Sequence, residues 1–331
     1  MRSSPTLAAI AAACGVSAST VSRALRGAGD LSPATRARIA AEARRVGYDR
    51  GATARGRPRR QADDLIDLVL SHFGGPWADE VIAGARAAAS DRGYDLVLTG
   101  ERDAPGDDWP ERLRARRPAG VVLGLLLPTD AQLRVVSATG IPVVLLDPRS
   151  DQRHPLPSVR STDRTGVRDA ARLLRTRGVS AVVVVEGAPS YRFGRDRVAG
   201  FLAGLGDDVP CERVHASWGA EEARAAARPA LRRATAGGGT VGVFACSDEM
   251  AVGVYRAADD LGLAVGRDVL VVGFDDIPAA AWLSPPLTTV RQPIRDMAAA
   301  AVTAVADIVE GRPGSPGPRD FATRLVRRGS A

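Results

Sequence analysis

Arginine is concentrated at the start of this 331-residue chain, where it could bind an anionic polymer. Residues 1–60 contain twelve arginines against three acids, a net charge of +9, whereas the whole chain carries +7, so the remainder carries −2. A guanidinium can donate two parallel hydrogen bonds to a guanine edge or to a phosphate. A basic segment joined to a near-neutral one indicates a nucleic-acid-binding module attached to a domain with another task.

The spacing of apolar residues in this segment predicts three short helices. Thr6 and Ser17 are expected to cap the first two, Gly15 to make the turn between them, and Ser32 with Pro33 to begin the third. Such a helix-turn-helix would place its second helix, residues 18–26, in the major groove of DNA, with Arg23 as the strongest candidate for reading a base. A small helical bundle with solvated arginines is the alternative that spacing alone leaves open.

From Asp64 onward, short apolar strands alternate with Ala- and Arg-rich helices, which predicts parallel α/β sheets. The expected strands are residues 65–70, 94–99, 120–126, 142–146, 181–186, 241–245, 270–274 and, last, 321–326. They are numerous enough for two lobes. Ligands of such sheets bind beyond the carboxyl ends of the strands. Asp275 ends one of these strands and could accept hydrogen bonds from two hydroxyls, or could instead cap the following turn.

Several other chemistries lack the residues that they need. The cysteines at 14, 211 and 246 form no CxxC pair, and the histidines at 72, 154 and 215 share no metal-ligand spacing. Neither a GxxxxGK[ST] phosphate loop nor a GxSxG nucleophile motif is present. We therefore expect no metal, no cofactor and no enzyme activity. The short N-terminal apolar stretch predicts neither a signal peptide nor a membrane helix, which favours a cytoplasmic protein.

The N-terminal motif GVS-x-x-TVSR, followed by a third helix ending in GY, resembles the head of the LacI/GalR family of transcriptional regulators. The segments RRPAGVVLG, GIPVVLLD, FGRDRVAGF, VFACSDEMAVGVYRAADDLGL and VVGFDDIPAAAWLSPPLTTVRQP resemble the two-lobed, periplasmic-binding-protein-like core of that family. Together they cover nearly the whole chain. The fold that we expect is thus an all-α helix-turn-helix head plus an α/β two-lobed core of type I with parallel sheets.

The resemblance implies which head residues contact DNA. In the family the two residues after GVS, here Ala18 and Ser19, set operator preference together with the arginine of TVSR. The expected DNA contacts are Thr6, Leu7, Ser17, Ala18, Ser19, Thr20, Ser22, Arg23, Arg26, Arg55 and Arg57.

The linker departs from the family pattern. Family members usually carry a short hinge helix ending in AR-x-L, whose leucine enters the minor groove. Arg57 stands at the leucine position here, and Gly51, Gly56 and Pro58 disfavour a helix. Two interpretations remain open, a flexible basic linker or a hinge that inserts arginine into a narrow minor groove.

The resemblance also implies a ligand site in the core. Arg197 matches the family's ligand-binding arginine, and Trp218 lies where family members often place an aromatic residue. The expected ligand contacts are Phe73, Asp147, Arg197, Trp218, Ser247, Asp275 and Gln292. Trp218 could instead be core, and Asp248 is expected to cap a helix. Arg197, Asp275 and Trp218 favour a hydroxyl-rich ligand over a purine, and the resemblance to the family implies that this ligand is a sugar or oligosaccharide.

The expected protein is a homodimeric repressor that binds operator DNA and releases it when the effector binds. A regulator that uses a co-repressor, an activator and a cytoplasmic sugar-binding protein are the alternatives. The expected domains are a head at 1–50, a basic linker at 51–63 and a core at 64–331. Within the core we expect an N-lobe at 64–162 plus 292–320 and a C-lobe at 163–291 plus 321–331.

Overall fold

A computed structural model describes residues 7–25, 31–46, 64–101, 109–150, 156–312 and 318–331. The chain divides into two compact units, residues 1–61 and 62–331. The described residues of the first unit form helices and no strand, and the second unit contains two six-stranded sheets.

The first unit packs three helices around a small apolar core. They are α1 (Leu7–Cys14), α2 (Ala18–Leu25) and α3 (Pro33–Arg45). Ile10, Val21 and Ile39, one from each helix, are fully buried. The hydroxyl of Ser17 accepts a 3.1 Å hydrogen bond from the Thr20 backbone, which caps α2 as predicted, and Ser32 caps α3 in the same way.

The tight turn between α1 and α2 depends on glycine. Gly15 has a φ of +62°, which L side chains rarely adopt, so this position favours glycine. Thr6, Arg26, Arg55, Arg57 and the predicted linker at 51–63 lie outside the described residues.

The N-lobe sheet has the order β11-β5-β4-β3-β1-β2, with every pair parallel. Its strands are β1 (Leu65–Leu70), β2 (Asp95–Gly100), β3 (Gly120–Gly124), β4 (Val143–Leu146), β5 (Ser158–Ser161) and β11 (Arg319–Phe321). Helices α4 (Pro76–Asp91) and α11 (Ile294–Val309) cover one face, and α5 (Trp109–Arg116) and α6 (Asp130–Ala138) cover the other. Successive side chains along β1 point to opposite faces of the sheet and therefore pack into two separate hydrophobic cores.

The C-lobe sheet has the order β12-β10-β9-β8-β6-β7, parallel except where β12 pairs antiparallel with β10. Its strands are β6 (Ala181–Glu186), β7 (Cys211–His215), β8 (Val241–Ala245), β9 (Val269–Asp275), β10 (Thr288–Arg291) and β12 (Arg324–Val326). The helices are α7 (Asp163–Thr176), α8 (Arg192–Leu205), α9 (Ala220–Thr235) and α10 (Asp248–Asp259), which pack in the pairs α7–α8 and α9–α10.

The chain passes between the lobes three times, and the last passage differs from the prediction. The expected final strand at 321–326 is two strands, because β11 belongs to the N-lobe sheet and β12 to the C-lobe sheet. Thr323, between them, accepts a 3.1 Å hydrogen bond from the Gly166 backbone and donates a 3.0 Å bond to the carbonyl of Thr162. These bonds fix the third crossover beside the first.

Candidate ligand cavity and DNA-binding surface

A cavity lies between the two lobes of the core. It encloses about 770 Å³, including its open mouth, and is lined by nine residues of the N-lobe and eight of the C-lobe. The lining residues follow the carboxyl ends of strands from both sheets, where α/β folds bind ligands.

Three lining residues at these strand ends have backbone angles that are rare outside glycine. Leu125 after β3 has a φ of +51°, Asp147 after β4 has +46°, and Asp275 at the end of β9 has +114°. Backbone of this kind costs about 1–3 kcal/mol per residue and concentrates where a fold must aim a functional group. Of the five non-glycine residues with positive φ in the described part of the chain, three line this cavity.

Arg197 of α8 is the central cation of the cavity wall, with 3% of its surface exposed. It donates a 2.7 Å hydrogen bond to the carbonyl of Cys246 and lies 3.5 Å from Asp275. Its guanidinium carbon is 3.7 Å from the ring centroid of Phe274, so the ring holds the guanidinium flat. Its Nε is 4.0 Å from Asp163 and has no hydrogen-bond partner among the described residues.

The carboxyls beside Arg197 are poorly solvated. Burial raises the pKa of Asp275 to about 7 and that of Asp163 to about 6, although the nearby Arg197 lowers both. One oxygen of Asp275, Oδ1, is buried with no hydrogen-bond partner in the described part of the chain. A ligand that donates hydrogen bonds to this oxygen would favour the charged carboxylate.

Asp147 joins the two lobes. Its carboxylate accepts a 2.7 Å bond from Arg192 of the C-lobe helix α8 and a 3.2 Å bond from the amide of Gln292 on the second crossover. The other amide contact of Gln292 is a 2.9 Å bond to Ser161, and its oxygen accepts a 3.2 Å bond from the Trp77 indole. A group bound at Asp147 would therefore touch a network that spans both lobes and a crossover.

Three aromatic rings form one wall of the cavity. Tyr191 and Trp218 are stacked, with centroids 5.8 Å apart and planes 9° apart, and Phe193 lies 5.2 Å from Trp218. Gly187 permits this arrangement, because a Cβ there would lie 2.3 Å from the indole. The Trp218 ring thus combines an apolar face with a buried indole nitrogen that has no hydrogen-bond partner among the described residues.

The structure brings five of the seven expected ligand residues to the cavity wall: Asp147, Arg197, Trp218, Ser247 and Asp275. Phe73 instead packs on the N-lobe core beside Gly100, and Gln292 lies behind Asp147.

The expectation that Asp248 caps α10 is wrong. Ser247 is the cap, since its hydroxyl accepts a 3.1 Å bond from the Met250 backbone. Asp248 instead accepts bonds from the Ile277 backbone and the Thr289 hydroxyl, at 3.0 and 2.5 Å, and holds two strand ends together.

Other lining residues were not found from the sequence. They include His72, Arg149, Tyr191, Phe193 and Glu249. Their positions in the sequence could have indicated some of them. Tyr191 and Phe193 lie at the start of α8, the helix that carries the expected ligand residue Arg197, and Arg149 follows Asp147 by two residues.

The head presents the expected recognition residues on α2. Ala18, Ser19 and Arg23 are exposed, whereas Val21 and Ala24 face the core. At the start of the helix, the hydroxyl of Ser17 lies 2.8 Å from that of Ser19 and 2.8 Å from that of Thr20, in two hydrogen bonds. A helix N-terminus with exposed hydroxyls is suited to contact a phosphate.

A helix-turn-helix head joined to a two-lobed core with a cavity between its lobes defines a ligand-responsive DNA-binding regulator. Family models agree: residues 6–50 match bacterial regulatory proteins of the lacI family, and residues 171–331 match the periplasmic binding protein-like domain. The chain is 33% identical to the HTH-type transcriptional regulator reg1 of Streptomyces lividans and to MalR of Streptomyces coelicolor, in each case over 98% of this chain and 96% of the relative.

Solved structures extend the agreement to the whole fold. A CelR–cellobiose complex is 28% identical, with a TM-score of 0.71 over 99% of this chain and 100% of that one. The lac repressor dimer bound to operator and the anti-inducer ONPF is 25% identical, with a TM-score of 0.72 over 99% of each chain. The chain belongs to the LacI family and is a sequence-specific transcriptional regulator. No helix among the described residues has the length and apolar character to cross a bilayer.

Proposed function

We propose that this chain is a homodimeric repressor whose operator binding is relieved by a sugar or short oligosaccharide bound between the lobes. The observation that carries the proposal is a set of buried polar atoms on cavity-lining side chains that make no hydrogen bond to the described residues. Within the described residues, Arg197 Nε, Asp275 Oδ1 and Trp218 Nε1 all lack hydrogen-bond partners. Buried polar groups in folded proteins are almost always paired, so these three favour a ligand that supplies both donors and acceptors.

The chemistry of the wall favours hydroxyls. Arg197 can only donate and ionised Asp275 can only accept, and they lie 3.5 Å apart. Two adjacent hydroxyls can accept from the first and donate to the second. The stacked Tyr191–Trp218 pair offers an apolar face to the C–H groups of a sugar ring. The sugar named with one related structure is cellobiose, and two other relatives are named ribose operon repressors.

The proposed DNA contacts are the eleven residues expected from the sequence: Thr6, Leu7, Ser17, Ala18, Ser19, Thr20, Ser22, Arg23, Arg26, Arg55 and Arg57. A twofold dimer would read two half-sites of a near-palindromic operator, as the related lac repressor dimer on its operator supports. We place the DNA-binding head at 1–50, the linker at 51–63 and the sensing core at 64–331. The protein would act in the cytoplasm, where its operator is.

Ligand and operator would be coupled through the lobes. A ligand that contacts Arg197 of one lobe and Asp147 of the other stabilises one arrangement of the two lobes over others. If that arrangement binds operator less well, then operator must weaken ligand binding by the same factor.

Fluorescence anisotropy with the DNA upstream of the chain's own gene tests the proposal. Cellobiose, maltose and ribose are titrated into the full-length protein–DNA complex, and we expect at least one to weaken operator binding. Arg197→Lys keeps the charge but loses the planar fork, so it should bind operator normally and lose the response. Arg168→Lys, on the exposed face of α7, is the matched control and should respond normally. Tighter operator binding on addition of sugar would identify a co-repressor, and no response to any sugar would contradict the proposal.

A further inference from the structure

Two arginines, Arg149 and Arg197, line the cavity, and a third, Arg192, binds the wall residue Asp147. Arg149 differs from the other two. Arg192 pairs with Asp147 at 2.7 Å and with Asp196 at 3.0 Å. Arg197 lies between Asp163 and Asp275. Arg149 lines the same cavity but forms no ion pair within the part of the chain that the structure describes. Within the described residues, no carboxylate neutralises its positive charge by direct contact.

The flat face of the Arg149 guanidinium stacks on the ring of Tyr191. Its central carbon lies 4.3 Å from the ring centroid of Tyr191 across the cleft, and its backbone carbonyl accepts a 2.9 Å bond from the Arg192 backbone. Stacking on a ring uses the face of the guanidinium and leaves the five N–H donors, which lie in its plane, for other partners. The Nε of Arg149 is buried and has no partner among the described residues. The edge formed by Nε and the neighbouring nitrogen is one of the edges of a guanidinium that can bind an oxyanion through two parallel bonds.

The carboxylates of the wall do not compete for this edge. Both oxygens of Asp147, the nearest in sequence, already accept bonds from Arg192 and Gln292. Asp275 lies beside Arg197. Desolvation raises the pKa of Asp275 to about 7 and also raises the pKa of Glu249, which reduces the negative charge that an acidic ligand would meet.

From this geometry we propose that Arg149 binds an oxyanion, a carboxylate or a phosphate, carried by the hydroxyl-rich effector. The inference rests on the proposed function, since it concerns the same cavity, and it narrows the effector from sugars in general to acidic sugars. Arg197 and Asp275 then bind hydroxyls, while Arg149 selects the charged substituent from the N-lobe side.

Matched probes on two sugar skeletons test this proposal by isothermal titration calorimetry on the full-length protein. The first set is cellobiose, cellobiouronic acid and cellobiose 6′-phosphate, and the second is ribose and ribose 5-phosphate. We expect an acidic member to bind at least about tenfold more tightly than its neutral parent, because charge-assisted pairs are the stronger hydrogen bonds. The preference of carboxylate over phosphate, or the reverse, identifies the source of the oxyanion.

Substitution of Arg149 separates recognition from folding. Arg149→Met should lower the affinity for the acidic probe about tenfold or more and change the affinity for its neutral parent less than about threefold. Arg149→Lys should recover part of the loss, since it keeps the charge without the two-bond edge. Arg168→Met, at an exposed position on α7, should change neither the affinity for the acidic probe nor that for its neutral parent. If Arg149→Met fails to fold, the preference of the unaltered protein still decides the question.

Failure of the role proposed for Arg149 can be distinguished from failure of the proposed sugar effector. Equal or tighter binding of the neutral sugars, with a ratio unchanged in Arg149→Met, overturns the role of Arg149 and leaves the sugar effector in place. If no sugar on either skeleton binds, neutral or acidic, both proposals fail.

Discussion

Raising the pH from 6 to 8 during an effector titration tests whether Asp275 accepts hydrogen bonds from the ligand. Burial raises the pKa of this carboxyl to about 7 in the protein without ligand. Hydroxyls that donate to Asp275 require its charged form. Binding therefore favours loss of the proton, and affinity should rise with pH until Asp275 is fully ionised.

The magnitude follows from the ionised fraction. With a pKa of about 7, roughly a tenth of Asp275 is ionised at pH 6 and about nine tenths at pH 8, so affinity should increase about tenfold over this interval. At pH 7 about half a proton should be released per site, which calorimetry in two buffers of different ionisation enthalpy measures directly. Asp163, with a pKa of about 6, completes the upper half of its own titration mainly between pH 6 and 7, so the interval from pH 7 to 8 reports chiefly on Asp275.

Two variants assign the effect. Asp275→Asn should bind more weakly and lose most of the pH dependence. His72→Gln removes the imidazole from the cavity wall and should keep the dependence. Affinity that is constant between pH 6 and 8, or higher at pH 6, would refute the reasoning, because a protonated Asp275 would then be the form that binds.

The remaining predictions concern recognition, packing and stability. Arg23→Ala should reduce the discrimination between operator and scrambled DNA by about 1–3 kcal/mol in anisotropy titrations, whereas Arg38→Ala on α3 should not; equal losses would argue against base reading. Gly187→Ala should displace the Trp218 indole, seen as a fluorescence change with at least about tenfold weaker effector binding and unchanged operator affinity; unaltered fluorescence would contradict the packing. The free energy of unfolding should fall as pH rises from about 5 to 7, because the raised pKa of Asp275 lets the folded state hold a proton that the unfolded chain releases. Urea titrations of Asp275→Asn should show a flatter dependence, and an unchanged slope would assign it to other groups.

The central strands of each sheet could be predicted from the sequence because they are buried on both faces. Almost every residue in the segments 65–70, 181–186 and 241–245 is apolar. The observed bounds of these three strands agree with the prediction. The short strands β5, β7 and β10 were not predicted. β7 is an edge strand that alternates exposed and half-buried residues, and its sequence Cys-Glu-Arg-Val-His has one aliphatic side chain. Such a strand exists because β6 supplies its hydrogen bonds, which no local pattern records.

The part of the ligand site that could be predicted from the sequence consists of residues at the carboxyl ends of strands. Asp147 and Asp275 could be identified because parallel strands bring their carboxyl ends to one edge. The partners of these residues could not be, because Arg192 and Asp147 are 45 positions apart and meet only when the lobes are assembled. Asp248 shows why capping rules based on neighbouring residues can fail. The preceding residue, Ser247, caps the helix instead, and the carboxylate of Asp248 accepts bonds from residues 29 and 41 positions away.

The arrangement of polar groups explains how a small ligand can act on a whole core. Asp147 holds one bond to α8 of the opposite lobe and one to Gln292, which lies on a crossover. A ligand at this carboxylate competes with, or adds to, contacts that hold the lobes and the crossover together, so its binding energy depends on how the lobes are arranged. By linkage, any change in that arrangement imposed from elsewhere in the protein must change ligand affinity by the same free energy. Effector sensitivity is therefore a property of the contacts between the lobes as much as of the residues that touch the ligand.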